Sequence, residues 1–138
     1  MLVLLSPAKA LDYDTPVSAE VWAAATEPEF TLRAQELIQS LQPLSTQAVA
    51  HLMELSEPLA ALNVGRYAAW QPQATKDNSK PAVLAFNGDV YEGLAAPGLS
   101  LAQLQWAQSH LLILSGLYGA LRPLDKLQPY PQVFTFIR

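Results

Sequence analysis

Three short apolar runs constrain the fold of this chain more than any other feature of its sequence. They lie at Leu2–Leu5, Ala82–Phe86 and Leu111–Leu114, and none of them alternates apolar with polar residues. Strands that are covered on both faces show this pattern, whereas half-exposed strands alternate. The sequence therefore predicts an α/β fold: a small, mostly parallel sheet built on three buried strands and flanked by helices.

Helical periodicity fills much of the chain between the runs. Thr26 and Glu29 have the spacing of a capping box, and an apolar stripe runs from Phe30 to Leu41. Another capping box, Ser100 with Gln103, begins a helix that leads directly into the third run. A strand–helix–strand order of this kind favours parallel pairing with a right-handed crossover. The stretch Gln71–Lys80 is polar and rich in helix breakers, so we predict an exposed loop there.

The segment Ser45–Tyr67 is predicted to be a helical hairpin. Ser45 and Ser56 are candidate N-caps for two short helices joined by a tight turn. Their predicted buried positions are Val49, Leu52, Met53, Leu59, Leu62, Tyr67 and Trp70. Such hairpins can present helix N-termini to a nucleic-acid backbone. Because the turn carries Glu54 and Glu57, charge alone favours a packing unit over a DNA contact.

Composition indicates one globular domain over residues 1–138. Apolar residues make up 51% of the chain and charged residues 14%. The net charge of −4, with eight scattered Lys and Arg residues, argues against a general nucleic-acid coat. No apolar run is long enough for a membrane span or a signal peptide, so we expect a cytoplasmic protein with no membrane partner. Cysteine is absent, which excludes disulfides and thiolate metal sites.

A polar loop directly follows each of the three apolar runs. The carboxyl ends of parallel neighbouring strands meet at one edge of a sheet, where ligands bind in open α/β folds. We therefore predict that Lys9, Asp89 and Arg122 share a cleft as candidate catalytic residues, joined by Asp12 and Asp125. An antiparallel strand would remove its loop from this group.

The segment Leu114–Tyr130, LSGLYGALRPLDKLQPY, combines special backbone residues with ionisable ones. Glycine opens backbone conformations that other residues avoid and proline fixes φ, so the segment can hold polar groups at set places. The binding residues predicted here and in the other two loops are Ser6, Asp12, Gly88, Tyr91, Ser115, Gly116, Tyr118, Asp125 and Tyr130. The alternative is a surface turn with ordinary charges.

Two chemistries suit the predicted cleft. Asp carboxylates beside Lys and Arg can perform acid–base catalysis on a phosphate-bearing or nucleoside-like substrate, with Arg122 gripping a phosphate. Alternatively, the same residues form ordinary salt bridges that lock the loops, so whether the protein is an enzyme stays open. His51 and His110 lack partners at ligand spacing, and no loop signature supports a hard-cation site. No cofactor is identified.

Three motifs resemble the YaaA family of bacterial peroxide stress proteins. They are LLSPAKALD near the N-terminus, AFNGDVYEGL in the middle and LSGLYGALRPLDKLQPY, with LMELSEPLAALNVGRYAAWQP between the first two. The resemblance covers about residues 1–130. It implies a cytoplasmic protein that helps cells survive hydrogen peroxide and limits oxidative damage to DNA. It further implies low unincorporated iron, an unusual α/β fold with a helix-hairpin-helix element, and binding to duplex and branched DNA. Iron is suggested by the resemblance alone.

The match can be followed residue by residue. The matching positions are Ser6, Pro7, Lys9, Asp12, Gly88, Asp89, Tyr91, Gly93, Ser115, Gly116, Tyr118, Gly119, Arg122, Pro123, Asp125, Pro129 and Tyr130. Ala10 and Asn87 depart from the usual Thr and Lys of the family. The tail 131–138, PQVFTFIR, also departs from it, because the family continues into a long basic half. We therefore expect a truncated member with an incomplete fold, an exposed sheet edge and weak DNA binding.

Overall fold

Helices and very short strands alternate along the chain. The computed structural model describes residues 1–8 and 10–129, so the predictions on Lys9, Tyr130 and the tail 131–138 lie outside the described residues. The helices are α1 (Ala19–Ala23), α2 (Thr31–Leu41), α3 (Thr46–Met53), α4 (Glu57–Ala69), α5 (Ala82–Ala85), α6 (Asp89–Leu94) and α7 (Leu101–Gln108), with a 3₁₀ turn at Ala96–Gly98. The strands are β1 (Val3–Leu5), β2 (Ala10–Leu11), β3 (Lys80–Pro81), β4 (Phe86–Asn87), β5 (Leu111–Ser115), β6 (Gly119–Leu121) and β7 (Lys126–Leu127).

The largest sheet has the order β1-β5-β6. β1 and β5 are parallel neighbours, with Leu5 level with Ile113, as the first and third apolar runs predict. β6 returns antiparallel to β5, placing Leu121 beside Ile113. The remaining strands form two short antiparallel pairs, β2 with β4 and β3 with β7. The α/β class is confirmed, with small sheets of mixed strand direction.

The strand predicted over Ala82–Phe86 is wrong, because this run folds into the single turn α5 between β3 and β4. The amides of Ala82 and Val83 donate to the carbonyls of Asp125 and Pro123, at 2.8 and 3.0 Å. Both residues are buried, and burial on all sides removes the polar positions that would reveal a helical period. An apolar run of this length has the same pattern in a buried strand and in a buried helical turn.

The inner face of the main sheet packs against the helices to form the core. Leu5, Ile113 and Leu121 share that face by register. Ile113–Leu127 supplies six of the ten largest fully buried side chains among the described residues. The segment that the sequence marks as a functional loop is therefore also the main contributor to the core.

The apolar stripe of α2 is confirmed, since Ala34, Ile38 and Leu41 are buried. The capping box predicted to start this helix is wrong. Phe30 is the N-cap residue and makes no side-chain capping bond. The Thr26 hydroxyl bonds instead to the Asp125 carboxylate, a partner distant in sequence that a local pattern cannot reveal.

Two packed helices, α3 and α4, form the predicted hairpin, and Ser45 caps α3 by accepting a hydrogen bond from the amide of Ala48 at 3.1 Å. The predicted buried face of α4 is confirmed at Tyr67 and Trp70 and wrong at its first two positions. Leu59 and Leu62 are 51% and 49% exposed, whereas Ala60 and Asn63 are buried. The two pairs have the same i, i+3 spacing, so periodicity could not choose between them.

The predicted buried position Leu52 on α3 is also wrong, since its side chain is 40% exposed. The loop predicted as exposed over Gln71–Lys80 is exposed only in part, because Ser79 and Lys80 are buried.

Glu54 ends α3 in the left-handed conformation, with φ 54° and ψ 46°. A side chain with a Cβ is strained in this region and glycine is not. Glu54→Gly is therefore expected to raise the free energy of unfolding by about 0.5–1 kcal/mol, measured by urea denaturation. The same replacement at Glu36, inside α2, is expected to lower it by about 1 kcal/mol. Destabilisation by Glu54→Gly would contradict the strain at this turn.

Candidate functional site

Two residues of the predicted binding loop, Ser115 and Tyr118, lie at the edge of the core. The Tyr118 side chain is 2% exposed, and its hydroxyl accepts hydrogen bonds from Trp70 Nε1 at 2.9 Å and from the Gln128 amide at 3.4 Å. Burial raises the pKa of this phenol to about 12. Ser115 Oγ accepts from the Tyr118 amide at 3.0 Å. The described hydrogen bonds of Ser115 and Tyr118 stabilise the turn between β5 and β6. Gly116, which lies between these two residues, is exposed.

Asp125 is the centre of a buried network. Its carboxylate is inaccessible to solvent and accepts hydrogen bonds from the Arg122 amide at 2.8 Å and from Arg122 Nε at 3.1 Å. The Thr26 hydroxyl also donates to it, and this hydroxyl accepts in turn from Gln108 Nε2 at 3.0 Å. Arg122 Nη2 lies 3.0 Å from the carboxylate and donates to the Glu27 carbonyl at 2.9 Å. The network ties three distant parts of the chain together.

The direction of β6 takes Arg122 away from the carboxyl ends of β1 and β5. Gly119 is level with Ser115 and Leu121 with Ile113, so the chain runs back toward the amino end of β5 before it reaches Arg122. Ser6 and Ser115 lie at the carboxyl ends of β1 and β5 instead. The antiparallel strand that moves Arg122 is β6, an additional strand that the three apolar runs did not predict.

A groove forms beside the carboxyl end of β1 and contains several predicted site residues. The Tyr91 hydroxyl donates to the Ser6 carbonyl at 2.6 Å. Gly88 approaches Ala8 so closely that an added Cβ would lie 3.1 Å from the Ala8 Cβ. The groove has a volume of about 350 Å³ and is lined by Pro7, Ala8, Ala10, Asn87, Gly88, Asp89, Val90 and Tyr91.

The structure therefore brings Ser6, Gly88, Asp89 and Tyr91 together, and Arg122 with Asp125 elsewhere. No ion pair or hydrogen bond joins Asp89 to Arg122 within residues 1–8 and 10–129. The single cleft predicted for both residues is not what these contacts form. In the groove, Asp89 is an exposed carboxylate at the start of α6. Burial raises the pKa of Tyr91 to about 12, so its phenol is protonated at neutral pH.

Asp12 belongs to a third group, with Lys80. Asp12 Oδ1 accepts from the amides of Asp14 and Thr15, each at 3.0 Å. Hydrogen bonds from Thr15, with a smaller contribution from Lys80, lower the pKa of Asp12 to about 2. Lys80 Nζ donates to the carbonyls of Asp12 and Thr15, each at 3.0 Å, and burial lowers the pKa of this amine. Lys80 was not predicted as a buried or functional residue, because the stretch around it is rich in helix breakers and indicated an exposed loop.

The described residues hold no group of three or more His, Cys, Asp or Glu side chains placed to bind a metal ion. His110 stacks on Trp106, with ring centroids 3.8 Å apart. In the same part of the chain, no helix combines the length and the apolar character needed to cross a membrane.

The start of α4, at the hairpin turn, differs from the other helix starts that have serine at the N-cap position. Ser18, Ser45 and Ser100 each accept a hydrogen bond from the amide three residues further on. Ser56, at the start of α4, makes no such bond and is exposed. First-turn amides have no partner within their own helix, and Pro58 in this turn has no N–H. The start of α4 therefore presents the amides of Glu57 and Leu59 without a capping bond from the Ser56 side chain.

Comparisons with known proteins identify relatives of the chain. The profile of the family described as "Peroxide stress protein YaaA" matches residues 1–133. A "UPF0246 protein" of Leptothrix cholodnii is 65% identical over 130 residues, which is 94% of this chain and 49% of that protein. A "UPF0246 protein" of Bordetella avium is 63% identical, with the same coverage. The chain thus spans about half the length of the curated relatives that it matches.

Proposed function

Since the chain belongs to the YaaA family of peroxide stress proteins, we propose that it forms part of a protein that limits hydrogen peroxide damage by binding DNA through the α3–α4 hairpin. The observation that supports this proposal is the uncapped start of α4 at the hairpin turn, next to Ser56. Lowered unincorporated iron and a cytoplasmic location are proposals for the whole protein, implied by the family resemblance.

The start of α4 has the chemistry to hold a DNA phosphate. Unpaired amides and the positive end of the helix dipole together attract anions, and backbone amides are common phosphate ligands. The Ser56 hydroxyl is exposed, accepts no capping bond, and can donate a hydrogen bond to a phosphate oxygen. α4 contains 13 residues and packs against α3, so the turn is held by a stable pair of helices.

Charge sets the expected strength of this contact. Glu54 and Glu57 are exposed at the turn, and the chain carries a net charge of −4. Both carboxylates repel phosphates, so DNA binding by this chain alone is expected to be weak. The full-length Leptothrix relative is expected to bind duplex DNA more tightly and with a steeper salt dependence. Equal or salt-insensitive binding by the two would count against the proposal.

Glu57→Lys is expected to strengthen DNA binding, because it replaces a repelling charge beside the proposed phosphate with an attracting one. One added phosphate contact should steepen the slope of log affinity against log salt by about 0.9. Fluorescence anisotropy of a labelled duplex at several salt concentrations measures this slope.

Glu36→Lys is the matched control, since Glu36 is exposed on α2 and the charge change is the same. It is expected to leave the slope nearly unchanged. If both variants steepen the slope equally, net charge explains the binding and the hairpin has no special role.

The groove beside β1 supports a second candidate function, an enzyme for a phosphate-bearing or nucleoside-like substrate. The groove volume of about 350 Å³ and the exposed Asp89 carboxylate favour a small ligand there. The test replaces the Asp89 equivalent in the Leptothrix relative with Asn. Loss of peroxide survival with unchanged melting temperature and DNA affinity would assign the function to the groove instead of the hairpin.

A further inference from the structure

Asn87 and Gly88 form an asparagine–glycine pair in the wall of the groove beside β1. The Asn87 side chain is exposed and makes no hydrogen bond to any residue that the structure describes. The chain has two other asparagines, and both are held in place. Asn63 is buried in α4. The Asn78 side chain is fixed by two hydrogen bonds to the backbone, of 2.7 and 3.0 Å.

The backbone amide of Gly88 takes no part in the pairing of β2 with β4. The Asp12 amide donates to the Ala85 carbonyl at 2.7 Å at one end of this pair. Hydrogen-bonded positions alternate along an antiparallel ladder, so Asn87 is the residue that exchanges both backbone bonds with Ala10. The next amide, that of Gly88, therefore points away from β2, and no described residue accepts a hydrogen bond from it.

The packing of the groove requires glycine at position 88. A Cβ added there would lie 3.1 Å from the Ala8 Cβ, closer than most contacts that a Cβ atom makes. Because glycine has no Cβ, the amide nitrogen that follows Asn87 is the least shielded that a protein chain offers. The asparagine–glycine pair is therefore maintained by the way the loop after β1 packs.

We propose that Asn87 is a site of spontaneous deamidation, a covalent modification that changes the groove. The deprotonated Gly88 nitrogen attacks the side-chain amide carbon of Asn87, a C–N bond forms, and ammonia leaves with a proton taken from solvent. Water then opens the resulting succinimide at either carbonyl, which gives aspartate or isoaspartate. The net reaction consumes one water molecule and releases one ammonia molecule, and no electrons are transferred.

Local opening of β4 precedes the attack. The five-membered succinimide ring cannot close while Asn87 keeps the extended backbone of a strand, so the bonds between Asn87 and Ala10 break first. β2 and β4 contain only two residues each, and an opening of this size leaves the rest of the fold intact. The rate of deamidation therefore reports how often the β2–β4 pair opens.

The modification alters the groove in two ways. Both products add a negative charge close to Asp89, which disfavours a phosphate-bearing ligand. Isoaspartate also adds one CH₂ group to the backbone between β4 and α6, which displaces Asp89 at the start of that helix. These consequences bear on the second candidate function, whereas the modification itself does not depend on it.

Peptide mapping by mass spectrometry tests this proposal. The folded chain is incubated in buffers of neutral and mildly alkaline pH, and the three asparagines are followed in the same digests. We expect Asn87 to deamidate at least about tenfold faster than Asn78, because Asn78 is bonded through its side chain and is followed by a residue with a Cβ. The rate should rise in proportion to hydroxide concentration, and protein isoaspartyl methyltransferase should label the product.

Asn87→Gln is the matched control variant, since it keeps a side-chain amide whose cyclisation requires a larger ring. It should abolish methyltransferase labelling of the peptide that contains residue 87 and leave the melting temperature unchanged. Deamidation of Asn78 as fast as that of Asn87 would overturn the proposal. Conversion of Asn87 in urea without any conversion in the folded chain over the same period would also overturn it, because the fold would then protect the site.

Discussion

Asp125→Ala is expected to lower the free energy of unfolding by about 3 kcal/mol, the lower end of the cost of breaking a buried ion pair, because Asp125 is buried but the Arg122 side chain is 32% exposed. The Asp125 carboxylate accepts hydrogen bonds from Thr26 and from Arg122, and none of this acceptor surface is exposed to solvent. Its removal takes the acceptor from the half-buried Arg122 amide and Thr26 hydroxyl and deprives the guanidinium of its closest anion. Urea denaturation monitored by tryptophan fluorescence measures the loss.

Asp89→Ala is the matched control for this prediction. Asp89 is exposed in the groove beside β1, and its replacement is expected to change stability by at most about 0.5 kcal/mol. The pair of variants separates a structural aspartate from a candidate functional one. If Asp125→Ala melts like the unmodified chain but abolishes DNA binding or peroxide survival, Asp125 is a functional residue and the buried network is not what holds the loop.

Tyr118→Phe is expected to lower the free energy of unfolding by about 1–3 kcal/mol, the cost of leaving buried donors unsatisfied. The hydroxyl that it removes accepts from Trp70 Nε1 and from the Gln128 amide, and both residues are buried. The phenyl ring still fills the same space, so the loss reports the hydrogen bonds and not a cavity. Thermal and urea denaturation both measure it.

Tyr91→Phe removes a hydroxyl from another buried ring in a different setting. Tyr91 donates to the carbonyl of Ser6, an exposed residue to which water has access, so we expect a smaller cost of about 0.5–1.5 kcal/mol. A larger loss for Tyr91→Phe than for Tyr118→Phe would mean that the Ser6 loop, and not the core of the third motif, is the more tightly held.

The sequence predicts the parts of this fold that depend on local patterns. The β1–β5 pair, the stripe of α2 and the serine caps of α3 and α7 follow from apolar runs and helical spacing. The antiparallel direction of β6 was harder to predict from the sequence. Gly119 has φ 73° and ends a short turn between two apolar segments, which is the arrangement of a β-hairpin. Interpreted as part of a ligand loop, the same glycine gives no sign that the chain turns back before Arg122.

The candidate site likewise combines contacts that follow from local sequence patterns with contacts that do not. Ser6, Gly88, Asp89 and Tyr91 come together because the loop after β1 meets the start of α6. Asp125 was predicted to be a binding residue, whereas its described contacts are with Arg122 and with Thr26, which lies 99 positions away in the chain. No local pattern contains a pairing of that kind.

An amide NMR titration of the chain with duplex DNA tests the hairpin proposal most directly. At low salt, we expect chemical-shift changes concentrated on the amides of residues 54–57 and 59–60, around the uncapped start of α4, and their loss as salt is raised. Changes concentrated on residues 87–91 in the groove, or no changes at low salt, would contradict it.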